Sequence, residues 1–247
     1  MSRHAREKSE TGYYHVIVRG IGKQPLFEDL SDRRYYLMLL EKCSAATSVS
    51  VCAYCLMDNH VHLLVCDRSD ALSLFMKKLG VSYSAYFNKK YERTGHLFQD
   101  RFLSEAINDD PYFLSVYRYI LRNPQSASIC AFDEYEWSSY RLYGNPESFV
   151  DTSLISKMLG SFERFHEFLT QVPEKEHIEN DYSRLSDEKA KKLLKNVLGI
   201  ENGFLLQSYE EAERDAAVRK LDSAGMSERQ ISRLTGIGRK IIHEILW

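Results

Sequence analysis

The run from Met57 to Val65 carries two histidines, His60 and His62, on either side of Val61. Its apolar and β-branched residues predict a strand, in which side chains two residues apart lie on the same face. Two imidazoles that converge on one face can bind a divalent metal ion, with a third protein group and water or substrate completing the coordination. The alternative is a pair of histidines on a half-buried sheet face, without a ligand.

A tyrosine and an asparagine stand four residues apart in the helical pattern from Phe113 to Pro124. Tyr119 and Asn123 therefore share one face of the helix, whereas Tyr117 lies about 200° round the axis from Tyr119. A phenol can act as a nucleophile and an amide oxygen can complete a metal site, so this face could supply both. The alternative is that both tyrosines are packing or surface residues and that Asn123 caps the helix.

The elements that must position these residues follow from hydrophobic patterns and turn signals. Three strands and one extended segment are predicted over Tyr13–Arg19, Val49–Met57, His60–Cys66 and His96–Ala106. Helices are predicted from Ser31 or Asp32 to Lys42, from Asp70 to Tyr91, and from Asp109 to Asn123, where Pro124 ends the last one. Asp58-Asn59 makes a hairpin turn, which favours an antiparallel sheet with helices on one side, an α+β domain.

The last third of the chain shows helical patterns. They cover Glu188–Leu198, Tyr209–Ala224 and two short helices within Gly225–Trp247, the first capped by Ser227, with a turn at Thr235–Gly238 between them. The expected core consists of Ile231, Leu234, Ile237, Ile241 and Ile242. This is a helix-turn-helix pattern, in which Arg239, Lys240 and His243 project toward a DNA groove. The alternative is a small helical bundle used for packing or dimerisation.

The net charge of −2 and the pI of about 6.5 argue, by themselves, against a nucleic-acid partner. That charge averages unlike segments: Asp133–Glu188 has thirteen acidic and five basic residues, a net of −8, which leaves +6 elsewhere. The acidic run 173–181 is typical of a solvated linker. Residues 73–104 carry six basic and two acidic residues with aromatic residues interleaved, a pattern that suits single-stranded nucleic acid. The alternative is a helix with a solvated lysine face and an aromatic core face.

The five cysteines and the polar first residues bear on the cellular location. An odd number of cysteines without the apolar core of a signal peptide predicts a reducing, cytoplasmic environment. No apolar run is long enough for a transmembrane helix, so no membrane partner is expected. Cys52 and Cys55 lie in a predicted strand, where residues three apart face opposite sides, so we expect buried thiols rather than a zinc site.

Four blocks of the sequence occur in a recognisable order. They are Tyr14-His15-Val16 with Arg19-Gly20, then Met57–His62, Arg93–Phe102 and Tyr119–Pro124. Together they resemble the single-tyrosine HUH transposases, in particular the REP-associated tyrosine transposases of the IS200-like group, over about Gly12 to Asn145. The resemblance implies a ferredoxin-like antiparallel sheet with helices, and DNA strand cleavage and rejoining dependent on Mg²⁺ or Mn²⁺.

The resemblance also implies roles for individual residues. His60 and His62 match the metal-binding histidines, Tyr119 matches the nucleophile, and Asn123 matches the third metal ligand. The expected product is a covalent 5′-phosphotyrosine with a free 3′-OH, formed on single-stranded or hairpin DNA. We expect a nuclease domain over 1–145, an acidic connector over 146–185 and a helical domain with the helix-turn-helix over 186–247, which lies outside the shared core.

DNA contacts are expected from basic residues in both domains. In the nuclease domain the candidates are Arg19, Lys77, Lys78, Lys89, Lys90, Arg93 and Arg101; in the helix-turn-helix, for duplex DNA, they are Arg239, Lys240 and His243. One alternative is a non-catalytic DNA-binding regulator that uses only the helix-turn-helix. Another is a metal-dependent hydrolase in which the two histidines activate water. Relatives occur as monomers and as dimers, so a homodimer stays open.

Overall fold

The computed structural model describes residues 7–171, 187–224, 226 and 228–246, without the side chains of 187–190 and 229. The chain divides into two compact units, residues 1–179 and 180–247. Two clusters of buried apolar side chains lie in the first unit and one lies in the second. Among the described residues, no helix is long and apolar enough to cross a membrane.

The first unit is an α+β domain built on a four-stranded sheet. The strands are β1 (Tyr13–Arg19), β2 (Ser50–Leu56), β3 (His60–Cys66) and β4 (Leu103–Ile107). Their order is β2-β3-β1-β4, and each neighbouring pair is antiparallel. Helix α1 (Leu30–Thr47) links β1 to β2 and helix α2 (Leu72–Lys90) links β3 to β4. This is the ferredoxin-like arrangement expected from the sequence.

Helices cover both faces of the sheet, although the hairpin pattern favoured helices on one side. Helices α1 and α2 pack on the face that carries Val16, Val61 and Leu63. Helix α3 (Asp110–Ser126) contacts β2 and β3 on the opposite face, where Leu64 is buried. The middle of β3 is buried at every residue, so both faces of the sheet are apolar. Each apolar face must be packed against a layer of helices.

Two differences from the expected elements have local physical causes. Helix α3 continues to Ser126 instead of ending before Pro124, since the Ala127 N–H donates to the Asn123 carbonyl oxygen at 2.9 Å and closes the turn around the proline. A register shift between Val51 and Ala53 interrupts the alternation of β2. Cys52 and Cys55 therefore face the same cluster, not opposite sides; both are free, buried thiols.

The stretch expected to be a connector begins with ordered helices. Helices α4 (Ser153–Leu159) and α5 (Phe162–Thr170) pack Ile155, Phe165 and Leu169 into the cluster that contains α3. The acidic run 173–181 lies outside the described residues. The expected fourth extended segment, 96–106, is a regular strand only from Leu103; before it, Phe98 forms an isolated bridge with Gly20 just after β1.

The second unit is helical. Its helices are α6 (Asp187–Leu198), α7 (Glu211–Ser223), α8 (Glu228–Thr235) and α9 (Arg239–Leu246). Ile231, Ile237 and Ile242 are buried as expected, whereas Ile241, also expected in the core, is 42% exposed. The reason is helical geometry, since Ile242 and Ile245 take the inner face of α9. The proposed cap at Ser227 lies outside the described residues.

A buried carboxylate ties α1 to α2. Asp32 is fully buried and accepts hydrogen bonds from Lys90 Nζ at 2.7 Å, the Tyr91 hydroxyl at 2.7 Å and the Tyr86 hydroxyl at 3.0 Å. It also accepts one from the backbone N–H of Glu28 at 2.9 Å. Since a buried charge is tolerated only when it is paired and hydrogen-bonded, this network fixes the end of α2 against the start of α1.

We predict that Asp32→Ala lowers the free energy of unfolding by about 3 kcal/mol, because it leaves the Tyr86 hydroxyl and the Glu28 N–H without their acceptor and removes one of the two carboxylates that pair with Lys90. Urea unfolding followed by circular dichroism measures this. The matched control is Asp70→Ala, which removes an exposed ion pair with Lys8 and should leave the free energy of unfolding nearly unchanged. Equal effects of the two substitutions would contradict the role given to Asp32.

Candidate active site

Strand β3 presents two histidines to the side of the sheet on which α3 lies. His60 and His62 are two residues apart, and their ring centroids are 4.9 Å apart with planes at 84°. His62 is 1% exposed, and His60 is half-buried. On the neighbouring strand, Arg19 is paired with His60 and Ile17 is paired with His62. The alternation of the strand therefore converges the two imidazoles as the sequence predicted.

Helix α3 brings a tyrosine and an amide to the same place. The ring centroid of Tyr119 lies 5.3 Å from that of His62. One turn later, Asn123 Nδ2 lies 3.4 Å from His62 Nε2, and Asn123 also hydrogen-bonds to His60. Tyr117 points elsewhere: it is fully buried, and burial raises the pKa of its phenol. The structure thus assembles His60, His62, Tyr119 and Asn123 from two elements about 60 residues apart along the chain.

Two arginines of α3, Arg118 and Arg122, hydrogen-bond to helix α5. Arg118 Nε donates to the Phe168 carbonyl oxygen at 3.0 Å, and its guanidinium lies 4.0 Å from the Phe168 ring centroid. Arg122 donates to the carbonyl oxygen of Leu169. Both acceptors lie in the last turn of α5, where cations are favoured by unpaired carbonyl groups and the helix dipole. Helix α5 therefore fixes the rotation of α3 about its axis.

Each histidine has one ring nitrogen engaged by a neighbour. His60 Nδ1 lies 2.7 Å from Asn59 Oδ1, and His62 Nδ1 lies 3.0 Å from His15 Nε2. In both rings this leaves Nε2 as the nitrogen for a ligand. His15 lies in one of the four sequence blocks described above, yet no role followed for it, because its contact depends on the pairing of β1 with β3.

Burial keeps the three histidines neutral near pH 7. Loss of solvation, together with a smaller effect of the positive charge of Arg19, lowers the pKa of His60 to about 4. Burial alone lowers the pKa of His15 to about 4. Burial, followed by the neighbouring histidines, holds the pKa of His62 well below 6.5. Because a metal ion binds the neutral imidazole, these side chains are ready for coordination without losing a proton.

The donor set is two imidazole nitrogens and one amide. In the described part of the chain, no three His, Cys, Asp or Glu side chains are grouped to hold a metal ion. Near His60 and His62 the third donor is instead the amide of Asn123. Imidazole nitrogens and amide oxygens both bind divalent cations, so the residues present fit such an ion with positions left open for water or substrate.

A glycine and an extended segment border the site. The Gly20 N–H donates to the Asn59 carbonyl oxygen at 2.9 Å, and a Cβ on Gly20 would lie 2.2 Å from the Gln24 carbonyl oxygen. On the same edge, the Gln99 N–H donates to the Arg19 carbonyl oxygen at 2.9 Å. The block that contains Arg93–Phe102 therefore runs directly beside the end of β1.

The basic residues expected to contact DNA lie in different surroundings. Arg19 is half-buried beside His60. Lys77, Lys78 and Lys89 are exposed on α2, the helix that packs on the sheet face away from His62. Arg101 is exposed after the segment that borders β1, and Arg239, Lys240 and His243 are exposed on α9 of the second unit.

Two of these cations and most of the interleaved aromatic residues serve the packing of α1 and α2. Lys90 Nζ lies 2.7 Å from carboxylate oxygens of Asp29 and Asp32, and Arg93 donates to Gln24 Oε1 at 2.6 Å. The rings of Tyr83 and Phe87 are fully buried, and Tyr86 is stacked on Tyr35 at a centroid distance of 3.8 Å. Buried rings cannot stack on nucleic-acid bases. Helix α2 therefore fits the alternative interpretation, a helix with a solvated lysine face and an aromatic core face.

Comparison with known proteins finds a family model that matches part of the first unit. Residues 8–123 match the family model described as "Transposase IS200 like". This segment, just under half of the chain, is similar to the IS200-like transposase family. The match ends at Asn123, so it contains all four of the residues assembled above. No curated protein matches the chain.

A solved structure is similar in fold to this chain. It is the REP-associated tyrosine transposase bound to a REP hairpin, at 14% identity and a TM-score of 0.51; the alignment covers 62% of this chain and 94% of that one. A crystal structure from Deinococcus radiodurans assigned as a transposase covers 53% of this chain and 99% of its own, at 14% identity and a TM-score of 0.34, which is too low to support an argument.

We predict that the metal-free protein loses stability as the pH falls from about 6.5 toward 4. The unfolded chain takes up protons on its histidines in this window, whereas His60 and His15 stay neutral in the folded state until about pH 4. Urea unfolding in EDTA at pH 7 and pH 5 measures the loss.

His60→Gln should reduce that loss by up to about 1.4 kcal/mol per pH unit, the linkage of one proton. The control is His96→Gln, since His96 is exposed and should leave the loss unchanged. A loss of stability that is the same in all three proteins would contradict the neutral state assigned to His60.

Proposed function

We propose that this protein cuts and rejoins single-stranded DNA through a covalent 5′-phosphotyrosine on Tyr119, with Mg²⁺ or Mn²⁺ held by His60, His62 and Asn123. The observation that carries the proposal is the convergence of α3 on β3, which places the Tyr119 ring 5.3 Å from the His62 ring and Asn123 within reach of both histidines. Sequence spacing alone indicated each pair separately.

The proposed reaction is an exchange of one phosphoester for another. The Tyr119 oxygen loses its proton and bonds to phosphorus, while the bond from phosphorus to the 3′ oxygen breaks and that oxygen gains a proton. The number of phosphoester bonds is unchanged, so a 3′-OH can reverse the step and join strands. The divalent ion, when bound, neutralises and polarises the phosphodiester. Arg19, next to His60, contacts the same phosphate in this proposal.

The substrate proposed for this site is a single strand or a hairpin end. A single nucleophile cuts one strand at a time, and α3 covers the site face closely enough that Asn123 is buried. The solved transposase that shares this fold is bound to a hairpin, which supports hairpin DNA as the substrate to test first.

We predict that labelled hairpin DNA forms a covalent adduct with the wild-type protein in Mn²⁺ or Mg²⁺, and that Tyr119→Phe lowers adduct formation at least about 1,000-fold, since removal of a nucleophile is rarely compensated. Denaturing electrophoresis measures the adduct, and EDTA should abolish it. Tyr117→Phe is the matched control, because the hydroxyl of this buried tyrosine has no hydrogen-bond partner among the described residues.

The outcomes separate the alternatives. An adduct that persists in Tyr119→Phe contradicts the assignment of the nucleophile. DNA turnover without an adduct points to a hydrolase in which the histidines activate water. Duplex binding that survives Tyr119→Phe and EDTA, with no cleavage by the wild-type protein, points to a non-catalytic regulator.

A second proposal concerns the helical unit. Helices α8 and α9 are joined by a three-residue turn, Gly236 to Gly238, and the first two residues of α9, Arg239 and Lys240, are exposed. Buried Ile231, Ile237 and Ile242 hold the two helices together. This arrangement supports a helix-turn-helix whose second helix enters the major groove of duplex DNA. His243 is hydrogen-bonded to Glu228 at 3.1 Å, so it is the weakest of the three candidates for a DNA contact.

We predict that charge reversal of both Arg239 and Lys240 to Glu weakens duplex binding by the full-length protein at least about tenfold. The slope of log affinity against log salt should fall by about one for each phosphate that the variant no longer binds. Fluorescence anisotropy at several salt concentrations measures both quantities. The double substitution Lys192→Glu and Lys220→Glu, at exposed lysines on α6 and α7, is the control with the same change of net charge. If that control weakens binding as much, α9 is not the reading helix.

A further inference from the structure

His15 on β1 is buried beside the candidate metal site, yet the proposed reaction gives it no task. Its side chain is 1% exposed and lies on the same sheet face as His60 and His62, because it is two residues from Ile17, the partner of His62 across the strands. Its ring is nearly parallel to that of His62, at 21°, and its Nε2 lies 3.0 Å from His62 Nδ1. Two ring nitrogens at this distance share one proton, so one ring donates and the other accepts.

Asn123 decides the direction of that hydrogen bond. Its Nδ2, which can only donate, lies 3.4 Å from His62 Nε2. With the amide in this orientation, Nε2 carries a lone pair, which places the proton of the His62 ring on Nδ1. The Nδ1–H of His62 therefore donates to Nε2 of His15, and the proton of the His15 ring is on its own Nδ1.

This arrangement leaves an unpaired donor. Within the described part of the chain, His15 Nδ1 is buried and has no hydrogen-bond partner. A buried donor without an acceptor destabilises the fold, and such exceptions need a reason. Across β1 and β3 the residue paired with His15 is Leu64, which shows that an apolar side chain fits this layer of the core. Packing alone therefore does not explain a histidine here.

We propose that His15 is a positioning residue for the metal site: as the acceptor for His62 Nδ1–H, it holds His62 in the tautomer whose Nε2 lone pair points at Asn123. This inference rests on the proposed metal-dependent function. Histidines that bind a metal ion usually donate their other ring N–H to a fixed acceptor, which sets the ring orientation and raises the basicity of the ligating nitrogen. In this chain the acceptor is another imidazole on the neighbouring strand.

The experiment measures tautomer state and metal affinity, without any assay of DNA cleavage. Long-range ¹H–¹⁵N spectra of the full-length, metal-free protein with labelled histidines show which nitrogen of each ring is protonated; His15→Gln and His62→Gln assign the two signals. We expect the proton on Nδ1 in both His15 and His62. A proton on Nε2 of His62 in the metal-free protein would overturn the inference, and this reading needs no folded variant of His15.

Titration calorimetry with Mn²⁺ then compares variants. His15→Phe keeps a flat ring but removes the acceptor, and we expect Mn²⁺ binding to weaken about 10- to 100-fold. His15→Gln places an amide oxygen near the position of Nε2 and should bind within about fivefold of wild type. Ile17→Val, which trims a buried side chain on the same face, should bind as wild type does. Equal affinity of wild type and His15→Phe would also overturn the inference.

Failure of the proposed function gives a different pattern. If the wild-type protein binds no Mn²⁺ at all, the proposed metal site is wrong, but the tautomer of His62 still tests the role of His15. A proton on His62 Nδ1 that shifts to Nε2 in His15→Phe supports the positioning role of His15. A proton on His62 Nε2 in the wild type refutes that role.

Discussion

The site depends on the packing of one helix against one strand. Neither β3 nor α3 holds a complete set of functional groups, since the histidines are on the strand and the phenol and amide are on the helix. What joins them is the apolar cover that α3 makes over the sheet, with Val116, Ile120 and Leu121 buried beside Leu64. Hydrophobic burial of α3 therefore positions its polar side chains. Because Tyr119 and Asn123 are four residues apart, they lie on one face of α3, and both reach the histidines of β3.

Helix α3 is also held in place by hydrogen bonds to helix α5. Arg118 and Arg122 alternate with Tyr119 and Asn123 along α3, and their guanidinium groups bond the final carbonyls of α5. A helix held by apolar contacts alone can rotate slightly, whereas directional hydrogen bonds at two successive turns resist rotation. Since the family match ends at Asn123, α5 is an addition beyond the matched segment that nonetheless supports its last functional helix.

Electrostatics follow from the same burial. The sheet face under α3 is buried, so the three histidines are neutral near pH 7. Two carboxylates lie near them: Glu105 is paired with His15 across β1 and β4, and the charge of Asp58 acts on His60. Arg19, which is paired with His60 across β1 and β3, adds a positive charge beside them.

Much of the first unit could be predicted from the sequence. The ends of β1 and β3 were predicted to the residue, because β-branched runs bounded by glycine or by a tight turn specify strands locally. That His60 pairs with His62 on one strand face and Tyr119 with Asn123 on one helix face was also predicted, since both spacings are local; their chemical roles stay a prediction.

What failed depends on contacts between distant segments. The second layer of helices, the shared orientation of Cys52 and Cys55 and the internal pairing of Lys90 all need the tertiary structure. His15 is a further example. The sheet face on which its side chain lies can be predicted from the sequence, but its contact with His62 Nδ1 cannot.

The central claim is that Tyr119, and no other tyrosine, forms the bond to DNA. Trypsin cuts between Arg118 and Tyr119, so the adduct can be located by mass spectrometry. After nuclease trimming of the DNA, the account predicts a nucleotide-modified peptide Tyr119–Arg122, or its missed-cleavage form beginning at Phe102, with fragment ions that place the phosphate on Tyr119. A modified peptide Phe102–Arg118, which contains Tyr112 and Tyr117, would contradict it.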